Sequence, residues 1–184
     1  MNTMCSVEDV ELWESSKDPI RNKHTHSLSL KIYDMDNRKR GEFFEFYTAE
    51  KMREISEIEI SELYLSSEYH NGKASIPDVV ITTTGNPNVP IFLEVKSIRE
   101  KIRGNYEITR LGLDGYKYLI IHLVCPRRGL LTYSVLREHL TVLGAKYVHY
   151  WGKYSLKIPS IEWLEGWDCV YNDYDCIIQN YHIK

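Results

Sequence analysis

The spacing of apolar residues predicts a first helix followed by several strands. The helix is predicted over residues 38–55, where the apolar residues fall within one arc of a 3.6-residue wheel: Phe43, Phe44, Tyr47 and Ile55. Asp36 or Asn37 supplies its N-cap. Runs rich in apolar and β-branched residues predict strands over 58–65, 76–84, 90–97, 118–124 and 146–150. The turn residues at 85–88 join the second and third strands into a hairpin.

The remaining segments give weaker patterns. Residues 99–115 are polar and predict a loop or a short helix. Thr132 or Ser134 is a suitable cap for a second helix that ends at Gly144. The run over 118–124 is almost continuously apolar, which is typical of a central strand covered on both faces. The order of elements predicts an α/β fold, with a mixed central β-sheet flanked by helices on both faces.

Length and composition indicate one globular domain. The chain has 184 residues, of which 43% are hydrophobic and 27% charged, which excludes a mostly disordered or collagen-like chain. We divide the domain into an N-terminal extension (1–36), a core (37–150) and an aromatic and acidic C-terminal tail (151–184).

Two observations bear on location. No apolar run approaches the roughly 18–20 residues that span a bilayer, so no membrane partner is expected. The N-terminus has no apolar signal region, and the four cysteines form no C-x-x-C pair. We therefore expect an intracellular, cytoplasmic protein with free thiols.

The positions of the charged residues along the chain are more informative than the net charge of −3. Basic residues concentrate in segments 21–40 and 96–110, whereas the C-terminal tail is acidic. A mildly acidic protein with local basic segments can still follow a phosphate backbone, although ordinary solvated surfaces explain the charges equally well.

The residues with the clearest chemistry lie on the predicted hairpin. Pro77-Asp78 is separated by fifteen residues from Glu94-Val95-Lys96. Asp78 opens one strand and Glu94 lies near the end of its neighbour, so antiparallel pairing brings both carboxylates to one rim of the sheet. Lys96 shares the face of Glu94, because side chains two residues apart on a strand point the same way.

Two carboxylates held close together repel each other unless a cation lies between them. Their oxygens and the Val95 carbonyl are suitable ligands for Mg²⁺, and Mn²⁺ fits the same oxygens. Such a set hydrolyses phosphodiesters, with Lys96 acting either as general base or in positioning water. The alternative is structural: Asp78 caps a turn, and Glu94 and Lys96 form a surface pair.

The matched residues Pro77, Asp78, Glu94 and Lys96 resemble the motif of the PD-(D/E)XK nuclease superfamily. This superfamily includes many type II restriction endonucleases and the archaeal-type Holliday junction resolvases. A second similarity is the basic-glycine run 38–41, which is followed by Glu42-Phe43-Phe44-Glu45. The resemblance to the superfamily covers roughly residues 37–125.

The resemblance implies a restriction-endonuclease-like core and a Mg²⁺-dependent deoxyribonuclease that acts on DNA as a homodimer. It also implies a catalytic glutamate on the helix before the hairpin. Glu45 matches that position best because it follows Phe44, and Glu42 is the alternative.

Basic and polar residues near these positions are candidates for DNA contacts, through phosphates or base edges. They are Lys39, Arg40, Arg99, Lys101, Arg103, Asn105, Tyr106 and Arg110. A mobile, exposed loop is the alternative interpretation of the residues after Lys96.

Three functions follow, in order of preference. The first is a type II restriction endonuclease that cuts double-stranded DNA. The second is a Holliday junction resolvase or a structure-specific repair nuclease, favoured by the basic-glycine run. The third is a catalytically inactive module that binds nucleic acid, and the intact set of Asp78, Glu94 and Lys96 argues against it.

Overall fold

The computed structural model of the chain describes residues 31–63, 77–99, 106–125, 128–150 and 152–182. Its strands are β1 (Ile58–Leu63), β2 (Val79–Thr83), β3 (Asn86–Arg99), β4 (Tyr106–Leu111), β5 (Tyr118–Cys125), β6 (Gly129–Leu136), β7 (Lys146–Val148), β8 (Lys153–Ile158) and β9 (Val170–Asn172). Its helices are α1 (Asn37–Arg53), α2 (Ile161–Glu165) and α3 (Asp175–His182), with a helical turn over 31–34 and a 3-10 turn over Arg137–His139.

A six-stranded sheet forms the centre, in the order β1-β2-β3-β5-β6-β9. β3 and β5 are parallel, with Leu93 opposite Tyr118, and the other neighbours are antiparallel. The predicted α/β class with a mixed central sheet is therefore confirmed. The β2–β3 hairpin is confirmed as well, although its turn lies at residues 84–85 rather than 85–88.

α1 begins where the sequence predicts. The Asp36 side chain accepts a hydrogen bond from the backbone N–H of Lys39 at 2.9 Å, which caps the helix. The helix buries Phe44, Tyr47 and Met52 in a core that includes residues of β2, β3 and β5. This packing places the N-terminal half of α1 near the catalytic candidates on the hairpin.

β5 is covered on both faces, as its apolar run predicts, and all eight of its residues are buried. α1 and α3 contribute to the core on one face. The other face was expected to carry helices, but its largest cover is a second sheet of three strands, in the order β4-β8-β7, accompanied by α2. Buried residues of β4 and β8, among them Ile108 and Leu156, form this second core with β5.

Three local predictions are wrong. Residues 129–136 form strand β6 instead of the start of a helix, because they pair with β5 over eight consecutive positions. Residues 106–111, predicted as loop or short helix, form β4 because their buried positions face the second core. The strand at 146–148 lies in the second sheet and is not the last strand.

The C-terminal segment is part of the fold. β8 pairs with β4 and β7, and β9 extends the central sheet beside β6. α3 contributes Cys176 and Ile177 to the core that α1 also lines. Among the described residues, no helix combines the length and apolar character needed to cross a membrane.

Candidate active site

The pairing of β2 with β3 brings the two predicted carboxylates together. Val79 lies opposite Leu93, and both are fully buried on the side of α1. Asp78 directly precedes β2, and its backbone N–H donates to the Leu93 carbonyl at 2.9 Å. The charge of Glu94 acts on the Asp78 carboxyl group, so the two side chains lie close together. Because side chains alternate along a strand, Glu94 lies on the face of β3 opposite to the buried Leu93 and Val95.

The Asp78 carboxylate is fixed by the neighbouring strand. Its Oδ2 accepts a hydrogen bond from the backbone N–H of Val95 at 2.7 Å. β2 starts only at Val79, so the side chain supplies the acceptor that a longer β2 would have supplied from its backbone. Asp78 is thus held at the edge of the sheet with its other oxygen not used in this bond.

Lys96 lies on the same side as Glu94 and forms an ion pair with it. Its Nζ contacts Glu94 Oε1 and also lies 3.3 Å from the Val95 carbonyl oxygen. The side chains of Lys96 and Glu94 are 27% and 13% exposed, so the pair is largely shielded from water. The ammonium therefore contacts two of the three oxygen groups that the sequence assigns to a metal ion.

The carboxylates are close enough to alter each other's protonation. Burial and then the charge of Glu94 raise the pKa of Asp78 to about 8, although the Lys96 ammonium opposes the shift. Burial lowers the pKa of Lys96, but the charges of Glu94 and Asp78 outweigh it and leave this pKa above its usual value. Negative charge is thus in excess at this edge.

Glu45 is the helix carboxylate that belongs to this group. It is only 3% exposed, and its charge raises the pKa of both Asp78 and Lys96. Glu42, the alternative, forms an ion pair with Arg38 at 3.0 Å on the outer side of α1. The geometry therefore favours Glu45 over Glu42.

The donor set suits a hard divalent cation. In the part of the chain that the structure describes, no group of three or more His, Cys, Asp or Glu side chains forms a ready-made metal cluster. Two carboxylates and one backbone carbonyl, with water completing the shell, are nevertheless ligands that Mg²⁺ accepts. Burial is the main cause of the raised pKa of Asp78 and the charge of Glu94 adds to it, so a bound cation would favour the ionised carboxylate. We conclude that Asp78, Glu94 and Val95 fit a bound Mg²⁺.

Tyr116 also lies near this group, although the sequence analysis did not select it. Burial and then the charge of Glu94 raise the pKa of its hydroxyl, which donates to the Gly112 carbonyl at 2.7 Å. The side chain is therefore held as a neutral phenol beside Glu94. No signal in the sequence distinguishes it from the other thirteen tyrosines.

The predicted DNA contacts occupy different environments. Lys39 is exposed on α1. Arg40 is buried, and Arg99 ends β3 with its guanidinium directed at Tyr33 and Asn37.

The candidates for DNA contacts that follow β3 in the chain also differ in their environments. Tyr106 is 4% exposed within the second core, so its ring is not available to stack on a base. Arg110 is exposed on β4, with a positive φ of 58° beside a register shift. Lys101, Arg103 and Asn105 lie outside the described residues.

Comparison with models of known protein families gave no match to this chain, and comparison with curated proteins gave none either.

Proposed function

We propose that this protein is a Mg²⁺-dependent DNA endonuclease with a restriction-endonuclease-like core, which hydrolyses phosphodiester bonds in double-stranded DNA. The observation that carries the proposal is the proximity of the Asp78 and Glu94 carboxyl groups, beside the Val95 carbonyl and the Lys96 ammonium. The resemblance of these residues to the PD-(D/E)XK motif supports it. A DNA substrate also agrees with the expected intracellular location.

Each residue of the site has a separate role in the proposed hydrolysis. Asp78, Glu94 and the Val95 carbonyl would hold Mg²⁺, which when bound polarises the phosphoryl oxygen and lowers the pKa of a coordinated water. Lys96 is positioned to orient the attacking water and to stabilise negative charge that develops on the phosphorus oxygens. Glu45 adds negative charge from α1, which acts with Glu94 and Asp78 to keep the Lys96 ammonium protonated.

The ion pair between Lys96 and Glu94 involves oxygens that are also proposed metal ligands. The ammonium contacts Glu94 Oε1 and the Val95 carbonyl. A divalent ion held there would compete with the ammonium for both oxygens. The Lys96 side chain would then be available to the phosphate.

A cleavage assay tests the proposal. Supercoiled plasmid and a synthetic four-way junction are incubated with the protein, in Mg²⁺ and in chelator. We expect discrete plasmid fragments in Mg²⁺ and no cleavage in chelator. Selective nicking of the junction would show that the protein is a resolvase and not a restriction-type endonuclease. No cleavage of either substrate would leave a binding module and overturn the proposal.

Three single variants assign the cleavage to this site. Asp78→Ala, Glu94→Ala and Lys96→Ala should each lower the rate at least about a hundredfold while the circular dichroism spectrum stays unchanged. Asp168→Ala removes an exposed carboxylate in the C-terminal segment and serves as the matched control. Near-normal turnover in any two of the three site variants would end the assignment.

The homodimer is the second part of the proposal, because a double-strand cut needs two active sites. Light scattering with and without DNA measures the assembly. A mass of twice 21.7 kDa for the protein is expected, and a monomer under both conditions would contradict it.

A further inference from the structure

A cavity of about 510 Å³ lies beside Lys96, at the end of β3. The start of α1 forms one wall with Asn37 and Arg40, and β4 contributes Glu107 to another. The cavity follows from the unequal lengths of the hairpin strands. β2 begins opposite Leu93, so the last residues of β3 lack a β2 backbone partner on that edge.

Positive charge dominates this cavity. Arg40, Lys96 and Arg99 line it, against the single carboxylate of Glu107. Lys96 is paired with Glu94, whereas neither arginine has a salt-bridge partner among the described residues. Each arginine is held by neutral oxygens instead.

Asn37 holds the two guanidinium groups side by side. Its Oδ1 accepts from Arg40 at 2.8 Å and from Arg99 at 3.3 Å. Each arginine also donates to a backbone carbonyl, Arg40 to Met35 at 3.0 Å and Arg99 to Tyr33 at 3.1 Å. A guanidinium carries five N–H donors, so three remain on each arginine after these two bonds.

Arg40 is the more deeply buried of the two arginines. It is 4% exposed, and its buried Nε has no hydrogen-bond partner in the described part of the chain. Leaving such a donor unpaired costs about 1–3 kcal/mol. Burial lowers the pKa of Arg40 to about 10, and the neighbouring charge of Arg99 contributes to the shift. Two like charges held together around unused donors form a site for an anion.

Phosphate is the anion that this arrangement fits. Guanidinium groups bind phosphate oxygens through paired, charge-assisted hydrogen bonds. The cavity shares Lys96 with the proposed active site, so a group bound in it lies next to the phosphodiester to be cut. We propose that Arg40, Arg99 and the start of α1 bind a backbone phosphate of the nucleic acid that flanks the scissile bond. This deepens the proposed function and rests on it.

The proposal changes the role expected of these arginines. Residues that read base edges must reach into a groove, whereas Arg40 is buried and Arg99 is anchored to Tyr33. Both therefore act on the backbone, which positions the DNA without reading its sequence.

Binding is measured in chelator, so that it does not depend on cleavage. Fluorescence anisotropy of a labelled duplex at several salt concentrations compares the wild type with Arg99→Gln. Arg53→Gln, at the opposite end of α1 and paired with Glu50, is the matched control. We expect Arg99→Gln to weaken binding about tenfold and to reduce the salt slope by about one, for every duplex sequence alike. The control should match the wild type.

A second variant separates charge from structure. Ser97→Asp places a carboxylate at the cavity and changes neither arginine nor the residues that accept their hydrogen bonds. It should weaken DNA binding at least as much as Arg99→Gln. Equal affinity and equal salt slope for the wild type, Arg99→Gln and Ser97→Asp would overturn the proposal.

Inorganic phosphate distinguishes the source of the anion. If the site serves DNA, phosphate competes with the duplex for the wild type and competes less for Arg99→Gln. Stabilisation by inorganic phosphate without any binding of DNA would overturn the assignment to nucleic acid. Binding of DNA that depends on Arg99, in a protein that cuts no substrate in Mg²⁺, would support the phosphate site and refute the nuclease.

Discussion

The Oδ2 atom of Asp78 accepts a hydrogen bond from the backbone nitrogen of Val95 at 2.7 Å, across the edge of the hairpin. This bond links the two halves of a motif that are separated by fifteen residues in the chain. It fixes one carboxylate against the strand that carries Glu94 and Lys96. The proposed metal site is therefore built into the pairing of β2 with β3.

The protonation of Asp78 predicts how stability of the metal-free protein depends on pH. Its pKa is about 8 in the folded state, above the usual value of 3.8. The folded state thus binds this proton more tightly, so stability decreases as pH rises from about 4 to about 8. Asp78→Asn removes the titration and keeps an oxygen acceptor for the Val95 N–H.

We expect Asp78→Asn to raise the melting temperature in chelator at pH 8 and to change it less at pH 5. Each kcal/mol gained corresponds to about 2–4 °C in a chain of this size. Differential scanning calorimetry at both pH values measures the effect. Asp114→Asn controls for loss of an exposed carboxylate. Equal shifts at pH 5 and pH 8 would show that Asp78 does not titrate as described.

Binding of the metal should release a proton. At neutral pH the Asp78 carboxyl is largely protonated because its pKa is about 8, and a metal ligand must be deprotonated. Affinity for Mg²⁺ should therefore rise with pH up to about 8. Calorimetry in two buffers of different ionisation enthalpy should detect release of about one proton per ion at pH 7. Affinity that is independent of pH between 6 and 8 would exclude Asp78 as a ligand.

Lys96 should oppose metal binding and yet be required for cleavage. Its ammonium contacts Glu94 Oε1 and the Val95 carbonyl, which are both proposed ligands. Lys96→Gln removes the positive charge from these oxygens, so Mg²⁺ should bind severalfold more tightly while cleavage falls at least about a hundredfold. Calorimetry and the plasmid assay measure the two quantities. If Mg²⁺ affinity and the cleavage rate both fell in Lys96→Gln, Lys96 would hold the metal ligands in place instead of competing with the ion for them.

Glu45 and Glu42 should differ in their effect on cleavage. Glu45 is buried and acts electrostatically on Asp78 and Lys96, whereas Glu42 pairs with Arg38 on the outer side of α1. We expect Glu45→Gln to lower the rate about tenfold or more and Glu42→Gln to change it little. The initial rate of plasmid cleavage at saturating Mg²⁺ separates them. The opposite order would identify Glu42 as the helix carboxylate.

Much of the architecture near the site could be predicted from the sequence. The N-cap at Asp36, the β2–β3 hairpin and the buried strand β5 all have local signals. The predicted hairpin is enough to bring Asp78 and Glu94 close together. These features depend on residues close together in the chain, so local patterns were sufficient.

The errors lie where distant pairing overrides a local pattern. The leucines at 136, 140 and 143 have helical spacing, but residues 129–136 are drawn into a strand by β5. In β4 the buried positions Tyr106, Ile108 and Leu111 lie among polar residues, so the local pattern predicts a loop or a short helix. The cavity beside Lys96 depends on contacts such as Arg99 with Tyr33, which are 66 residues apart.

His122 should make the fold sensitive to acid. It is fully buried on β5, with Nε2 2.8 Å from Thr48 Oγ1 and Nδ1 3.0 Å from Thr132 Oγ1, and its ring stacks on Phe44. Burial lowers its pKa to about 3, below the usual 6.5. The folded state therefore binds this proton less readily, and His122 contributes stability above pH 6.5 that is lost as pH falls towards 3.

The variant His122→Leu tests this dependence. It should be less stable than the wild type at pH 7, because the buried Thr48 hydroxyl loses its partner at about 1–3 kcal/mol, whereas the partly exposed Thr132 hydroxyl can bind water instead. It should also lose less stability between pH 7 and pH 4, because the histidine no longer titrates. Urea unfolding at the two pH values measures both effects, with His149→Gln as the exposed control. If the free energy of unfolding of His122→Leu changed with pH as it does in the wild type, other groups would cause the acid sensitivity. A smaller change would show that the neutral imidazole joins α1 to β5 and β6.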